Sequence, residues 1–200
     1  MPLSKEHKAK SRKKIVECAR ILFNLKGLHE VSIDEIMEKA GLTRGGFYSH
    51  FKNKDELYAE AVIGFLNGRG KKWRDEAGVD PTSEDDISSV LAMLKSYLSD
   101  EHLGDLEGQC PMIALPSDAA RAGPKVREAY EQLLRAMVSL FENNCLKSSD
   151  RRQTALVLSS LCVGGMVLSR TVENEEFSRE LRRAAYQAAH RTVTNNGALV

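Results

Sequence analysis

Apolar residues recur along the chain with the spacing of one helical face. Ile15, Cys18, Ala19, Leu22 and Phe23 follow i, i+3, i+4, i+7, i+8, and Gly27 makes a C-cap. Ile33, Ile36, Met37 and Ala40 repeat the pattern over a shorter segment. Ser32 at N-cap and Glu35 at N3 open it as a capping box, and Gly41 closes it. A third short helix is predicted from after Thr43 to about Phe51, and a fourth from near Asn53 with Leu57, Tyr58, Ala61, Val62 and Phe65 on one side. Beyond residue 76, breaks at 78–83, 104–111, 123–124 and 147–150 separate further helical patterns. The last carries Phe177, Leu181, Ala184, Ala185 and Ala188. Pro124 suits a first helical turn, whereas Pro116 should kink or restart its segment. No alternating, strand-like run survives, so the chain reads as all-α with about nine helices.

Charge changes this picture more than composition does. The chain is 28% charged and 42% apolar, ordinary for a globular protein, and disorder or a disulfide scaffold is excluded on that ground. Its net charge of +1 conceals an asymmetry. Residues 1–74 hold 16 Lys and Arg against 9 Asp and Glu, a net of +7; residues 75–200 hold 13 against 19, a net of −6. A basic end that meets a polyanion, followed by a domain with another task, is the expectation. The basic start MPLSKEHKAKSRKK leads into no apolar core of a secretory signal, and the apolar run at 156–168 is too short to span a bilayer. Cys18, Cys110, Cys145 and Cys162 lie far apart without metal-ligand spacing. A cytoplasmic chain with reduced thiols, no metal site and no cofactor is expected.

Three short helices within the first 51 residues, the last two joined at Gly41-Leu42-Thr43, describe a helix-turn-helix. The stretch GLHEVSIDEIMEKAGLTRGGFYSHFKNKDELYAEAV, residues 27–62, resembles the amino-terminal domain of TetR-family transcriptional regulators. The resemblance covers about the first third of the chain and rests on the dense pattern from Ala40-Gly41 to Leu57. It implies a helix-turn-helix domain over residues 1–53 and a helical ligand-binding and dimerisation domain over 54–200. It also implies DNA contacts from Thr43, Arg44, Gly45, Gly46, Tyr48, His50 and Lys54. Physical reasons stand beside that pattern. Glycine costs about 1 kcal/mol in a helix interior, so Gly45-Gly46 makes sense where backbone must approach DNA closely. Arg44 then suits a guanine edge, Thr43 a phosphate at the N-cap, and Tyr48, His50 and Lys54 the backbone phosphates. Phe47 and Phe51 read as core. The cations Lys5, Lys8, Lys10, Arg12, Lys13 and Lys14 form a basic arm, equally readable as a solvated tail or as phosphate or minor-groove contacts.

For the second half, the resemblance implies a homodimer through the last two helices, with Ser159-Ser160, Gly164-Gly165 and the alanines 184, 185, 188 and 189 permitting close approach. It also implies a pocket for a small apolar or aromatic effector. Phe65, Tyr97, Cys110, Met112, Tyr130, Met137, Phe141 and Met166 are candidate liners, although such a stripe also describes ordinary core. Cys110 before Pro111 would stand at a helix N-terminus, which lowers a thiol's pKa; a thiol-based sensor of electrophiles or oxidants is the alternative, and a buried small residue the plain reading. The expected function is a ligand-responsive repressor on a palindromic operator in double-stranded DNA, with an activator as a further option. No converging acid, base or nucleophile suggests an enzyme. An acidic second half argues against an architectural DNA binder.

Overall fold

A computed structural model of the chain describes residues 5–145 and 150–195. Those residues form twelve helical segments and no strand. In chain order they are α1 (Lys5–Lys26), α2 (Ile33–Lys39), α3 (Arg44–Phe47), α4 (Lys54–Asn67), α5 (Arg69–Glu76), α6 (Ile87–Tyr97), α7 (Asp100–Gly104), α8 (Pro111–Ala114), α9 (Pro116–Arg121), α10 (Pro124–Asn144), α11 (Arg151–Arg170) and α12 (Glu175–Asn195). The all-α expectation holds, and the excess over about nine comes from segments of four to six residues such as α7, α8 and α9. Single turns of this kind have too few positions to show a period. Pro116 restarts the chain as α9 rather than kinking a longer helix.

The chain divides into two compact units. One comprises residues 5–68 with 107–132; the other comprises 69–106 with 133–195. The boundary read from sequence at residue 53 therefore falls within the first unit, because α4 packs along α1. Ile15, Ala19, Phe23, Ile36, Phe47, Leu57 and Tyr58 are fully enclosed there, with the Phe23 and Tyr58 rings edge to face at 5.1 Å. Segment 107–109 is held to α1 by polar bonds: Arg20 donates to the Glu107 carbonyl at 2.6 Å, and Asn24 donates to that of Gln109 at 2.8 Å. Buried backbone polar groups far apart in sequence are thus satisfied by side chains of one helix.

In the second unit α11 and α12 lie together along most of their length, with α6 against α12. Ser169 and Ser178 exchange hydrogen bonds, each hydroxyl donating to the other's carbonyl at 3.0 and 3.1 Å. Gly165 permits this approach: a Cβ there would stand 2.7 Å from the Ala185 Cβ and 3.1 Å from Leu98 Cδ2. At Gly164 a Cβ would meet nothing within 4 Å. Gly165→Ala should therefore destabilise the chain by about 1–3 kcal/mol through overpacking, while Gly164→Ala leaves the fold intact. Thermal unfolding of both variants checks this, and an equal response would remove the packing argument. Helix α11 is also longer than the apolar run seen in the sequence: at 20 residues it is long and apolar enough to cross a membrane by length and composition. Its Ala155, Leu158, Cys162 and Met166 are instead enclosed within the fold, as in a core helix.

Candidate nucleic-acid interface

The turn of the helix-turn-helix is built by backbone geometry. Ser32 Oγ accepts from the Glu35 amide at 3.1 Å and caps α2, as the capping-box spacing requires. At the other end Gly41 has φ +66°, its amide donates to the Glu38 carbonyl and the Leu42 amide donates to that of Met37. Those two bonds around a left-handed residue form a Schellman motif, and a side chain at Gly41 would be strained. Thr43 then starts α3 in extended conformation, with no side-chain cap bond of its own.

Helix α3 presents the expected polar set outward. Arg44 is 65% exposed and pairs with Asp34 of α2 at 2.7 Å, an exposed contact that an incoming acceptor can replace at little expense. Gly45 is open: a Cβ there would meet nothing within 4 Å. At Gly46 it would meet Met37 Cε at 3.6 Å and Thr43 Oγ1 at 3.8 Å, ordinary contact distances. Neither glycine adopts positive φ, so the fold itself asks for neither. Tyr48 is exposed, its ring edge against Phe47, while Phe47 and Phe51 are buried as expected.

Three cations or polar groups have other roles than the sequence suggests. Lys54 is turned inward: its Nζ donates to the carbonyls of Leu28 and Val31 at 2.6 and 2.9 Å, tying α4 to the loop before α2. A phosphate contact would compete with these bonds. His50 is half-buried, and burial first, then the nearby Lys8 and Arg12 charges, holds its pKa below the ordinary value, so it is neutral at pH 7. Its Nδ1 is buried without a hydrogen-bond partner. The basic arm is helical from Lys5, and Arg12 is not part of its solvated face. The Arg12 Nε reaches both Glu60 carboxylate oxygens at 3.1 Å, Nη1 donates to the His50 carbonyl, and the guanidinium lies 4.0 Å over the Phe51 ring. Lys5, Lys8, Lys10, Lys13 and Lys14 remain exposed.

The eight candidate effector liners do not form one described set. Phe65, Cys110, Met112 and Tyr130 belong to the first unit; Tyr97, Met137, Phe141 and Met166 belong to the second. Tyr130 Oη donates to the Met112 carbonyl at 3.0 Å. Cys110 does stand at an N-cap, before Pro111 as expected, but the helix is four residues long and the residue is 2% exposed. Tyr58 reads from the sequence only as core. Its hydroxyl is buried without a hydrogen-bond partner, and burial together with Asp118 and Tyr130 nearby pushes its pKa up. The periodicity that marks Tyr58 as buried carries no information about where its hydroxyl points.

An exposed arginine beside an open glycine, on a short helix behind a Schellman turn, defines a helix-turn-helix DNA-binding protein. Comparison with known proteins gives the particular family. Residues 15–61 match the sequence model of the bacterial regulatory proteins of the tetR family. The HTH-type transcriptional regulator LmrA of Bacillus subtilis (strain 168) is 28% identical over 171 residues, 82% of this chain and 88% of that protein. The Transposon Tn10 TetC protein of Escherichia coli is 60% identical over 43 residues, 22% of each chain. The structure of E. coli NemR in its reduced form superposes with a TM-score of 0.75 at 16% identity, covering 93% of this chain and 96% of that one, a likeness of fold. Together these matches support a tetR-family transcriptional regulator, with residues 15–61 as its family domain. No enzymatic family is indicated by these relatives.

Proposed function

We propose that this regulator is a cytoplasmic repressor that binds a palindromic operator as a homodimer and is released by a small apolar or aromatic effector. On this reading residues 1–53 read DNA, and residues 54–200 carry the effector pocket and the dimer surface. The carrying observation is the empty space at Gly45 next to exposed Arg44, with room for a side chain at Gly46 as well. The fold gains nothing from that space, and a DNA backbone or base edge would use it. Thr43, Arg44, Gly45, Gly46 and Tyr48 form the reading surface, with His50 contributing a neutral ring and the exposed lysines of α1 adding phosphate contacts. Lys54 supports this surface from behind by holding the loop before α2.

One short helix specifies few base pairs, so a dimer on two half-sites is the geometry that gives adequate discrimination. Effector and operator affinities are then reciprocally linked. The thiol alternative rests on Cys110 at its N-cap, and the burial of that residue works against it.

Selection of genomic fragments by the purified, reduced protein, followed by footprinting, tests the reading; a palindromic site is expected. On that site Arg44→Ala should cost about 1–3 kcal/mol and relax preference at one base pair of each half-site. Lys8→Ala should weaken all sequences alike and make the slope of affinity against salt shallower by about one. If the two variants behaved identically across operator variants, the assignment of Arg44 to base reading would fall.

A further inference from the structure

Residues 75–200 are acidic overall, with 19 Asp and Glu against 13 Lys and Arg. Four of those 13 cations nevertheless line one open cleft of about 580 Å3: Lys95 at the end of α6, and Arg179, Arg182 and Arg183 on α12. Arg182 is the fixed member. It is 5% exposed, donates through Nη2 to the Asp100 carboxylate and through Nη1 to Ser178 Oγ at 2.7 Å. Lys95, Arg179 and Arg183 are exposed, and among the described residues none of them makes an ion pair. Arg179 and Arg183 are four residues apart on one helix face, a spacing at which like charges repel. Side chains kept in that arrangement without an ion pair of their own are available to an external counter-charge.

The charge balance narrows the class of that partner. With Arg182 matched by Asp100, the three unpaired cations share the cleft lining with one further carboxylate, Glu101, leaving an excess of two positive charges within it. A phosphate monoester carries about −2 at neutral pH and balances that excess, whereas a monocarboxylate would balance half of it. Guanidinium forks also match phosphate oxygens bidentately. Leu98 and the half-buried Tyr186 ring add apolar wall for an organic body. The volume lies within the range of small-molecule sites. On α12 the cleft-lining residues face away from Phe177, Leu181, Ala184 and Ala188, so a dimer formed through that other face leaves the cleft open.

We propose that this cleft binds a small organic phosphate monoester, held at its phosphate by Arg179, Arg183 and Lys95. Its lining includes none of the candidate effector liners, and the proposal does not depend on that reading.

Calorimetric titration of the full-length protein with phenyl phosphate tests it, with phenol and benzoate as comparison ligands and circular dichroism to confirm folding. Saturable binding of one phenyl phosphate per chain is expected, with phenol silent and benzoate weaker. Arg179→Gln or Arg183→Gln, both at exposed positions, should each weaken binding about tenfold, as removal of a charge-assisted hydrogen bond does. Lys125→Gln, an exposed charge outside the cleft, should leave it unchanged. No saturable heat, equal binding of benzoate, or equal weakening by Lys125→Gln would overturn the proposal and leave general charge attraction only.

Discussion

Arg12→Ala is expected to unfold several degrees below the parent chain and to lose much of its discrimination between operator and random DNA. The side chain is only one-third exposed, and its guanidinium serves three partners at once. It pairs with Glu60 on α4, donates to the His50 carbonyl, and covers the Phe51 ring that closes the reading turn. Alanine leaves that carbonyl and the Glu60 carboxylate without their donor and uncovers the aromatic ring. Charge-assisted bonds contribute about 1.5–3 kcal/mol each when shielded. Partial exposure here brings the expected total to roughly 2 kcal/mol, at about 2–4 °C of melting temperature per kcal/mol for a chain of this size.

Arg12→Lys separates charge from geometry. Lysine preserves the positive charge but neither the fork nor the flat stack, so its stability should fall between the two. If Arg12 were one more phosphate contact of a solvated tail, alanine would leave the melting temperature unchanged and only flatten the salt dependence of binding. Thermal denaturation beside operator titration at two salt concentrations distinguishes these outcomes.

Arg12 also shows what kind of information a sequence carries. Among six cations before Ile15 it looks like any other, and composition groups it with the arm. Its position does differ: it lies three residues before Ile15 and seven before Ala19, on the stripe that becomes fully buried. The same test separates Gly165 from Gly164. Gly165 follows Leu158 by seven and Cys162 by three, both enclosed, whereas Gly164 follows exposed Ser160. Treating the two glycines, or the alanines 184, 185, 188 and 189, as one small-residue surface merges opposite faces of one helix. Ala185 and Ala189 are buried within the chain; Ala184 is exposed and Ala188 half-buried.

Helix positions, the capping box at Ser32 and the Gly41 stop were legible because each has a local chemical cause within four or five residues. Inward donation by Lys54 to Leu28 and Val31 was not, since its partners are carbonyls, which every residue possesses. Effector liners were illegible for a related reason: periodicity reports burial and does not distinguish a packed Met137 from one beside a cavity.

The outward face of α11 and α12 carries the second large effect. Leu156, Ser160, Gly164 and Leu168 fall four residues apart on α11, with Leu156 41% and Leu168 54% exposed. Phe177 on α12 is 49% exposed and shares its helix face with Leu181, Ala184 and Ala188. Large apolar side chains grouped on two adjacent helices are what a twofold interface would cover. In such an interface every substitution counts twice, because each patch meets itself. Leu168→Glu would remove two apolar contacts worth about 1.5–3 kcal/mol each and bring two carboxylates into apolar surroundings. Its dimer should dissociate at least a hundredfold more readily, a change of about 2.7 kcal/mol. Operator affinity should collapse with it, since each monomer retains one half-site. Leu25→Glu changes another exposed leucine, 41% on α1, and should leave association untouched. Sedimentation equilibrium over a concentration series measures both variants directly. A Leu168→Glu protein that stays dimeric would place the interface elsewhere, and a parent chain that is monomeric at micromolar concentration would remove the dimer from the proposed function altogether.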